Sequence, residues 1–146
     1  MNDEPACSIE RSLQILGERW TLLVLREIFA GKDKFAEIQS SLGIATNLLS
    51  TRLKLLVETG VLCTQTYQVP GSRPRQSYHL TEAGRDLRIV LLALQQWGDQ
   101  HRPRPSGPSA LRQTRSTGRP VRVALVDEDG HEVPLTDVVA RTAVAR

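Results

Sequence analysis

LGIATNLLSTRLKLLVETGVLCTQTYQVPGSRPRQSYHLT, residues 42–81, is the stretch that decides the fold of this chain of 146 residues. Apolar residues recur at helical spacing over 35–42 and again over 45–59, and Gly43 stands in the short gap between these segments. Two helices joined by about three residues that include a glycine are typical of a helix-turn-helix. Thr46 is the expected cap of the second helix, because a threonine hydroxyl can accept a hydrogen bond from a free backbone N–H group there.

A β-hairpin is predicted directly after this pair of helices. Residues 61–69 and 76–80 are rich in Val, Thr and Tyr, as β-strands are. The loop between them, Pro70-Gly-Ser-Arg-Pro-Arg75, contains two arginines and no acid, and its prolines reduce the entropy lost on docking. The predicted fold class is therefore mainly α with some β structure (α+β), in the form of a winged helix-turn-helix.

Positive charge is concentrated in the same stretch. Residues 38–81 carry four basic side chains and one acidic one, whereas residues 1–37 carry five basic and seven acidic ones. A local excess of positive charge is typical of a surface that binds a polyanion. No apolar run is long enough to cross a bilayer and the N-terminus is unlike a signal peptide, so we expect a soluble cytoplasmic protein with no membrane contact.

The second helix of the pair has two different faces. Leu49, Leu53 and Leu56 are spaced so that they point inward, and the opposite face carries small polar residues and a lysine. Asn, Ser and Thr side chains can hydrogen-bond base edges, whereas Arg and Lys reach phosphates or guanine, so the expected partner is double-stranded DNA. The residues predicted to contact DNA are Thr46, Asn47, Ser50, Thr51, Arg52, Lys54, Arg73 and Arg75.

Further helices are predicted on both sides of this stretch. Ile9, Leu13 and Leu16 form an apolar stripe on a first helix, and residues 20–30 are apolar on nearly every side, as in a buried central helix. Thr81 is the expected cap of a last helix of about twenty residues, which is longer than so small a domain can cover. The apolar face of that last helix consists of Leu87, Val90, Leu91, Leu94 and Trp97.

A second copy of the chain is the expected cover for this face. The first and last helices would then be dimerisation helices, and each subunit of a symmetric homodimer would present one recognition helix to a DNA half-site.

The composition changes after the last helix. Residues 102–122 contain Pro, Gly, Ser, Thr and six arginines but no acid, as in a linker. Residues 121–126 and 131–135 flank a polar turn, which predicts an independent β-hairpin. Two aspartates in the turn lack the later ligands of a calcium loop, so neither a metal nor another cofactor is expected. The predicted division is a DNA-binding and dimerisation domain at 1–102, a Pro/Arg-rich linker at 103–120 and a hairpin extension at 121–146.

Short motifs along the first two thirds of the chain point to one family. They are Cys7-Ser-Ile-Glu10, Gly17-Glu-Arg-Trp20 followed by TLLVLRE, Phe35 with Glu37-Ile38, Leu49 with Arg52-Leu53, Gly60-Val-Leu62, Tyr78 with Leu80-Thr-Glu-Ala-Gly84, and Trp97-Gly98. With these motifs the chain resembles the HxlR family of winged helix-turn-helix regulators, in the MarR-like superfamily, over residues 7 to about 102. The family usually begins its recognition helix with Ser-Pro, where this chain has Ala45-Thr46.

The resemblance implies a dimeric transcription regulator, often a repressor. In some members the cysteine before the first helix senses oxidants or electrophiles, and Cys7 stands at that position. Cys7 is either such a sensor or a buried or capping residue in a regulator that responds to a small ligand or to none. Trp20 and Trp97 are either the lining of an effector pocket or packing residues, and Cys63 in the first wing strand is expected in the core.

Two classes of function remain open. The first is a homodimeric, sequence-specific DNA-binding regulator that is released by an oxidant at Cys7 or by a small ligand at the dimer helices. The second is a protein-interaction module whose helices and tail hairpin recruit a partner without binding DNA. An enzyme is not expected, because His79, His101 and His131 are scattered and no phosphate-binding glycine loop is present.

Overall fold

The computed structural model describes residues 4–143, which form two compact units that divide between Leu91 and Leu92. This division lies inside a helix, about ten residues before the boundary predicted from composition. The elements in chain order are α1 (Ser8–Leu16), α2 (Arg19–Phe29), α3 (Phe35–Leu42), α4 (Thr46–Glu58), β1 (Leu62–Tyr67), β2 (Arg75–Leu80), α5 (Glu82–Asp86), α6 (Arg88–His101), β3 (Leu125–Val126), β4 (Glu132–Val133) and a 3-10 helix (Leu135–Asp137).

The first unit is a winged helix-turn-helix built around α2, as predicted. Apolar side chains from α2, α3, α4 and β1 meet in one core, and burying each of them contributes roughly 1.5–3 kcal/mol to folding. The predicted stripe of α1 is only partly buried: Leu16 enters the core, whereas Ile9 and Leu13 are 71% and 56% exposed. The most completely buried apolar side chains are Val24, Leu25, Ile38, Leu49, Leu53, Leu56 and Leu62.

The wing is an antiparallel hairpin in which Leu62 pairs with Leu80 and Tyr67 with Arg75. Its base is tied to the segment before α3, because the Tyr78 N–H donates to the Asp33 carbonyl at 2.8 Å. The prediction that Cys63 is a core residue is wrong, since its side chain is exposed. Side chains alternate along a strand, so the burial of Leu62 places its neighbour on the other face of the sheet.

The long last helix predicted from 81 to 100 is interrupted. Thr81 is its cap, as predicted, and accepts a hydrogen bond from the Gly84 N–H at 3.1 Å. In place of one helix there are two: α5 ends at Asp86, and Leu87 separates it from α6. The Leu87 N–H donates to the carbonyl of Gly84, only three residues earlier, at 3.2 Å, so this turn is tighter than α-helical.

The second unit joins the end of α6 to the C-terminal segment. The side-chain amide of Gln96 pairs with the backbone of Val123 like a neighbouring strand: its Nε2 donates to the carbonyl at 3.0 Å, and its Oε1 accepts from the N–H at 2.8 Å. Arg112 donates to Asp99 at 2.9 Å. The range 103–120 predicted as a linker thus contains a residue that is tied to α6.

The predicted tail hairpin is present but short. The strand predicted at 121–126 is reduced to the two residues of β3, which pairs with the two of β4. Pro134 and the 3-10 helix follow β4 directly, and the backbone of Val123 bonds to Gln96 instead. The Asp127 carboxylate accepts from the N–H groups of Asp129 and His131 at 3.0 and 2.9 Å, which shapes the turn. Within residues 4–143 no helix has the length and apolar character needed to cross a bilayer.

Candidate nucleic-acid interface

The turn between α3 and α4 sets the direction of the second helix. Gly43 adopts a left-handed conformation with φ of 64°, which a residue with a side chain rarely adopts, and Ile44 is anchored in the core. The Gln39 side chain donates from Nε2 to the Thr46 hydroxyl at 2.7 Å and so links the two helices. The contribution of Gln39 was not predicted, because the two residues are seven apart and lie in different helices.

The prediction that Thr46 caps α4 is wrong. Ala45 occupies the cap position without a side-chain hydrogen bond, and Thr46 is the first helical residue. Its hydroxyl accepts the bond from Gln39 and makes no bond to the first turn of α4. Thr46 remains exposed at the start of the helix, beside the other polar residues of the same face.

We call the exposed side of α4 the polar face; it consists of Thr46, Asn47, Ser50, Thr51 and Lys54. The Thr51 hydroxyl donates to the Asn47 carbonyl at 2.8 Å, and the Asn47 Oδ1 accepts from the Leu48 N–H at 3.0 Å. The Asn47 side-chain NH2 and the Ser50 hydroxyl make no hydrogen bond to another described residue. The face therefore presents donors and acceptors that can reach base edges.

The two basic residues of α4 point in different directions. The Lys54 side chain is 76% exposed, and its Nζ lies 3.8 Å from Glu58, a separation at which an exposed pair contributes little. Arg52 lies two residues before Lys54, so the two side chains point about 160° apart around the helix axis. Arg52 is half-buried, and its Nε has no hydrogen-bond partner among the described residues. The structure thus brings Lys54 to the polar face but does not bring Arg52 there.

The tip of the wing is a tight turn that is followed by two arginines. The Ser72 N–H donates to the Val69 carbonyl at 3.0 Å, and Gly71 has φ of 82°, as the second central residue of a type II turn requires. Arg73 and Arg75 are exposed, and neither forms an ion pair with an acid in the described part of the chain. Two free guanidinium groups on a stiff turn suit contact with phosphates.

A buried carboxylate positions the helix-turn-helix. Glu27 on α2 is 5% exposed, accepts a hydrogen bond from the Ser41 hydroxyl of α3 at 2.7 Å and lies 2.9 Å from the nitrogens of both Arg26 and Lys32. Burial by itself raises the pKa of Glu27, but the hydrogen bonds from Lys32, Ser41 and Arg26 outweigh it and lower the pKa to about 2. Sequence periodicity predicted no polar contact here, since Glu27 lies within an apolar run.

The remaining candidate residues are Cys7, Trp20 and Trp97. Cys7 is exposed at the N-cap position of α1 and makes no side-chain cap hydrogen bond, so it is neither buried nor a capping residue. The nearby backbone N–H groups of Glu10 and Ile9 lower the pKa of its thiol. Trp20 lies in the first unit, with the Arg19 guanidinium 4.7 Å from its ring, and Trp97 lies in the second unit and is 57% exposed. A shallow cavity beside the end of α6 is lined by neither tryptophan.

The geometry defines a winged helix-turn-helix domain, and comparison with known proteins identifies the family. A sequence profile described as HxlR-like helix-turn-helix matches residues 15–106. The chain belongs to this family, as the motifs indicated. An uncharacterized HTH-type transcriptional regulator of Mycobacterium tuberculosis is 48% identical over 101 residues, which are 69% of this chain and 63% of that protein's own length. The chain is thus a member of the HxlR-like helix-turn-helix family by sequence and fold, and it spans less than two thirds of the length of that relative.

Solved structures divide according to how much of the chain they match. The crystal structure of PA1607, a candidate transcription factor, is 33% identical with a TM-score of 0.83 and covers 96% of this chain and 97% of its own, so its likeness includes the C-terminal segment. The redox regulator HypR in its reduced form is 27% identical with a TM-score of 0.59 and covers 66% of this chain and 94% of its own. The segment after α6 is therefore matched by some of the similar structures, such as PA1607, and not by others, such as HypR.

Proposed function

We propose that the protein is a sequence-specific DNA-binding repressor that acts as a homodimer. The observation that carries the proposal is the polar face of α4, which is exposed and ends in Lys54, together with a wing tip whose two arginines have no acidic partner among the described residues. A helix of this kind fits the major groove, and a basic hairpin fits the adjacent backbone or minor groove. Family membership and fold support this assignment.

Roles within the interface follow from the atoms that are available. Asn47 and Ser50 have free hydrogen-bonding groups and are assigned to base edges, with Thr46 and Thr51 beside them. Lys54, Arg73 and Arg75 are assigned to phosphates, where a mobile positive charge suffices. Arg52, predicted as a contact, is not assigned to DNA because it lies on the other side of α4.

The dimer is proposed from apolar side chains that the described residues leave uncovered. Ile9 and Leu13 on α1, and Ile89, Leu94 and Trp97 on α6, are each at least 49% exposed. Exposed apolar residues in rows on helices are typical of a surface that packs against another chain. A symmetric pair would present two copies of α4 to two half-sites of one operator.

Release from DNA is proposed to occur when an oxidant or electrophile reacts with Cys7. Its thiol is exposed, and the N–H groups at the start of α1 favour the thiolate, which is the reactive form. One similar structure is named a redox regulator, which supports a thiol-based response. Release by a small ligand between dimer helices is the alternative, and neither Trp20 nor Trp97 lines the cavity beside α6.

DNA binding is tested by the salt dependence of affinity for the DNA next to the protein's own gene. Lys54, Arg73 and Arg75 from two subunits would contribute roughly −5 to the slope of log K against log salt, at about 0.9 for each phosphate contact. Lys54→Ala should reduce the magnitude of that slope by about 2. Arg52→Ala is the matched control and should leave the slope unchanged. Binding by the wild type that does not vary with salt would contradict the proposal.

The switch is tested by footprinting with and without diamide. The wild type should lose its footprint, and Cys7→Ser should keep it. Cys63→Ser is the necessary control because Cys63 is also exposed, and it should respond like the wild type. Equal release of the wild type and Cys7→Ser would eliminate Cys7 as the sensor without affecting the assignment of DNA binding.

A further inference from the structure

We infer that residues 112–121 form a second DNA-binding hairpin, in which Arg115 and Arg119 contact backbone phosphates. We call this segment the basic loop. The inference rests on the proposed DNA binding and extends it to the C-terminal segment, which the profile of the family does not include beyond residue 106.

The basic loop is a closed and ordered turn. Its ends are joined by a bridge between Gln113 and Pro120 and by the Val121 N–H, which donates to the Arg112 carbonyl at 3.0 Å. Inside these ends, the Thr114 N–H donates to the Arg119 carbonyl at 2.9 Å. A loop that is already ordered loses less entropy on binding than a flexible tail does.

The tip of the loop is shaped by one residue and its neighbours. Thr114 accepts from the Gly118 N–H through its carbonyl at 2.9 Å and from the Arg119 N–H through its hydroxyl at 3.2 Å. Gly118 has φ of 66°, which allows the chain to reverse. Arg115 and Arg119 are consequently presented on opposite arms of a turn only a few residues long.

Some arginines of the C-terminal segment bond to other residues of the chain, and others do not. Arg112 is paired with Asp99, Arg122 is paired with Glu132, and Arg104 donates to the Gly107 carbonyl at 3.1 Å. Arg115 and Arg119 are exposed and form no ion pair with any described acid. Two free positive charges on one small ordered turn favour a polyanion as the partner.

The composition of the loop favours nucleic acid over an acidic protein. The segment RQTRSTGRP, residues 112–120, contains no aromatic or large aliphatic side chain. Protein interfaces depend on such side chains as central anchors, whereas phosphate contacts need guanidinium, hydroxyl and backbone N–H groups. Ser116, which is exposed between the two arginines, adds a hydroxyl of that kind.

The wing provides a chemical precedent within the same chain. Its tip also carries two exposed arginines without acidic partners and a glycine in a left-handed conformation, Gly71 with φ of 82°. Both hairpins therefore present two free guanidinium groups beside a glycine in the left-handed conformation. The basic loop repeats the phosphate-binding chemistry assigned to the wing.

The test compares full-length wild type with the double variant Arg115→Ala/Arg119→Ala on the same operator DNA. Four phosphate contacts in a dimer contribute roughly 3.5 to the magnitude of the salt slope, so the double variant should have a correspondingly flatter slope. Between about 50 and about 200 mM salt, the wild type should lose about 100-fold more affinity than the double variant loses. Lysine at both positions should restore most of the slope, because a point charge also binds phosphate.

Arg122→Ala is the matched control, because the charge of Arg122 is already compensated by Glu132. This variant should change the salt slope by less than the loss of one phosphate contact would change it. A double variant with the wild-type slope would overturn the inference and would leave an acidic protein as the partner of the loop. Failure of the wild type to bind any DNA would instead contradict the proposed function. Circular dichroism of each variant confirms that the fold is retained.

Discussion

At the scale of single residues, the least expected feature is the buried carboxylate of Glu27. It connects α2, the loop after it and α3 through Arg26, Lys32 and Ser41. Removing one partner from a buried charged network costs much more than an exposed pair contributes, because the remaining groups lose their compensation. Glu27 thus holds the first helix of the helix-turn-helix against the core.

The pKa of Glu27 predicts how stability depends on pH. Its folded value of about 2 lies below the ordinary value of 4.5, so its contribution is complete above pH 4.5 and is lost as pH falls toward 2. Glu27→Gln should reduce the free energy of unfolding at neutral pH by roughly 2–3 kcal/mol and flatten the acid limb of the stability curve. Urea denaturation at several pH values measures both effects.

Glu58→Gln is the control for this prediction. Glu58 pairs with Lys54 only at the surface, and an i,i+4 pair contributes less than about 0.5 kcal/mol. Identical acid limbs for the wild type and Glu27→Gln would show that the carboxylate does not stabilise the fold.

Gly84 provides a second prediction at this scale. A Cβ atom there would lie 2.2 Å from the Val61 carbonyl oxygen, a rigid backbone atom. Gly84→Ala should therefore cost about 2–4 kcal/mol in thermal or urea unfolding. Gly98→Ala in α6 is the matched change, because nothing lies within 4 Å of its Cβ position, and it should stabilise the protein by up to about 1 kcal/mol. Equal stability of the two variants would disprove the assigned clash.

At the scale of elements, the C-terminal segment depends on α6 through Gln96. This side chain bonds to both the N–H and the carbonyl of Val123. A buried or partly buried polar pair of this kind contributes about 1 kcal/mol for each bond.

Gln96→Ala should loosen the segment without unfolding α6. The Val123 N–H would lose its acceptor, so its amide hydrogen should exchange about tenfold faster in hydrogen-exchange measurements. Gln100→Ala, an exposed glutamine on the same helix, should leave that exchange rate unchanged. A Val123 amide equally protected in both variants would mean that another contact holds the segment.

At the scale of the whole molecule, the proposed homodimer is the feature with the largest consequence. Leu94 is 49% exposed on α6, and Leu94→Glu would place a charge in an apolar interface. We expect the wild type to sediment as a dimer and the variant to dimerise about 100-fold more weakly. Analytical ultracentrifugation over a range of concentrations measures the change.

Val69→Glu is the control for the dimer prediction. Val69 is similarly exposed, at 52%, but lies at the wing tip, outside the proposed dimer helices. The dimer dissociation constant of the Val69→Glu variant should therefore match that of the wild type. A monomeric wild type, or a Leu94→Glu variant that dimerises normally, would contradict the proposed use of α6. Loss of dimer should also weaken operator binding, because two half-sites could no longer be bound together.

Most elements and the family could be predicted because their signals are local. Helical spacing of leucines, Gly43 in the turn, Thr81 before α5 and the two arginines between wing strands each act over a few residues. The position of Arg52 could also have been predicted, since the spacing that turns Leu49 and Leu53 inward turns Arg52 away from Lys54.

The sequence by itself determined the order of elements, the winged helix-turn-helix and the family, because periodicity and turn chemistry are properties of neighbouring residues. Only the tertiary structure decided the contacts of Glu27 with Ser41, fourteen residues away, and of Gln96 with Val123, twenty-seven away. It also distinguished the free arginines of the basic loop from Arg112 and Arg122, which are paired. A hydrogen bond or ion pair depends on distance in space, and positions so far apart along the chain do not determine that distance until the chain folds.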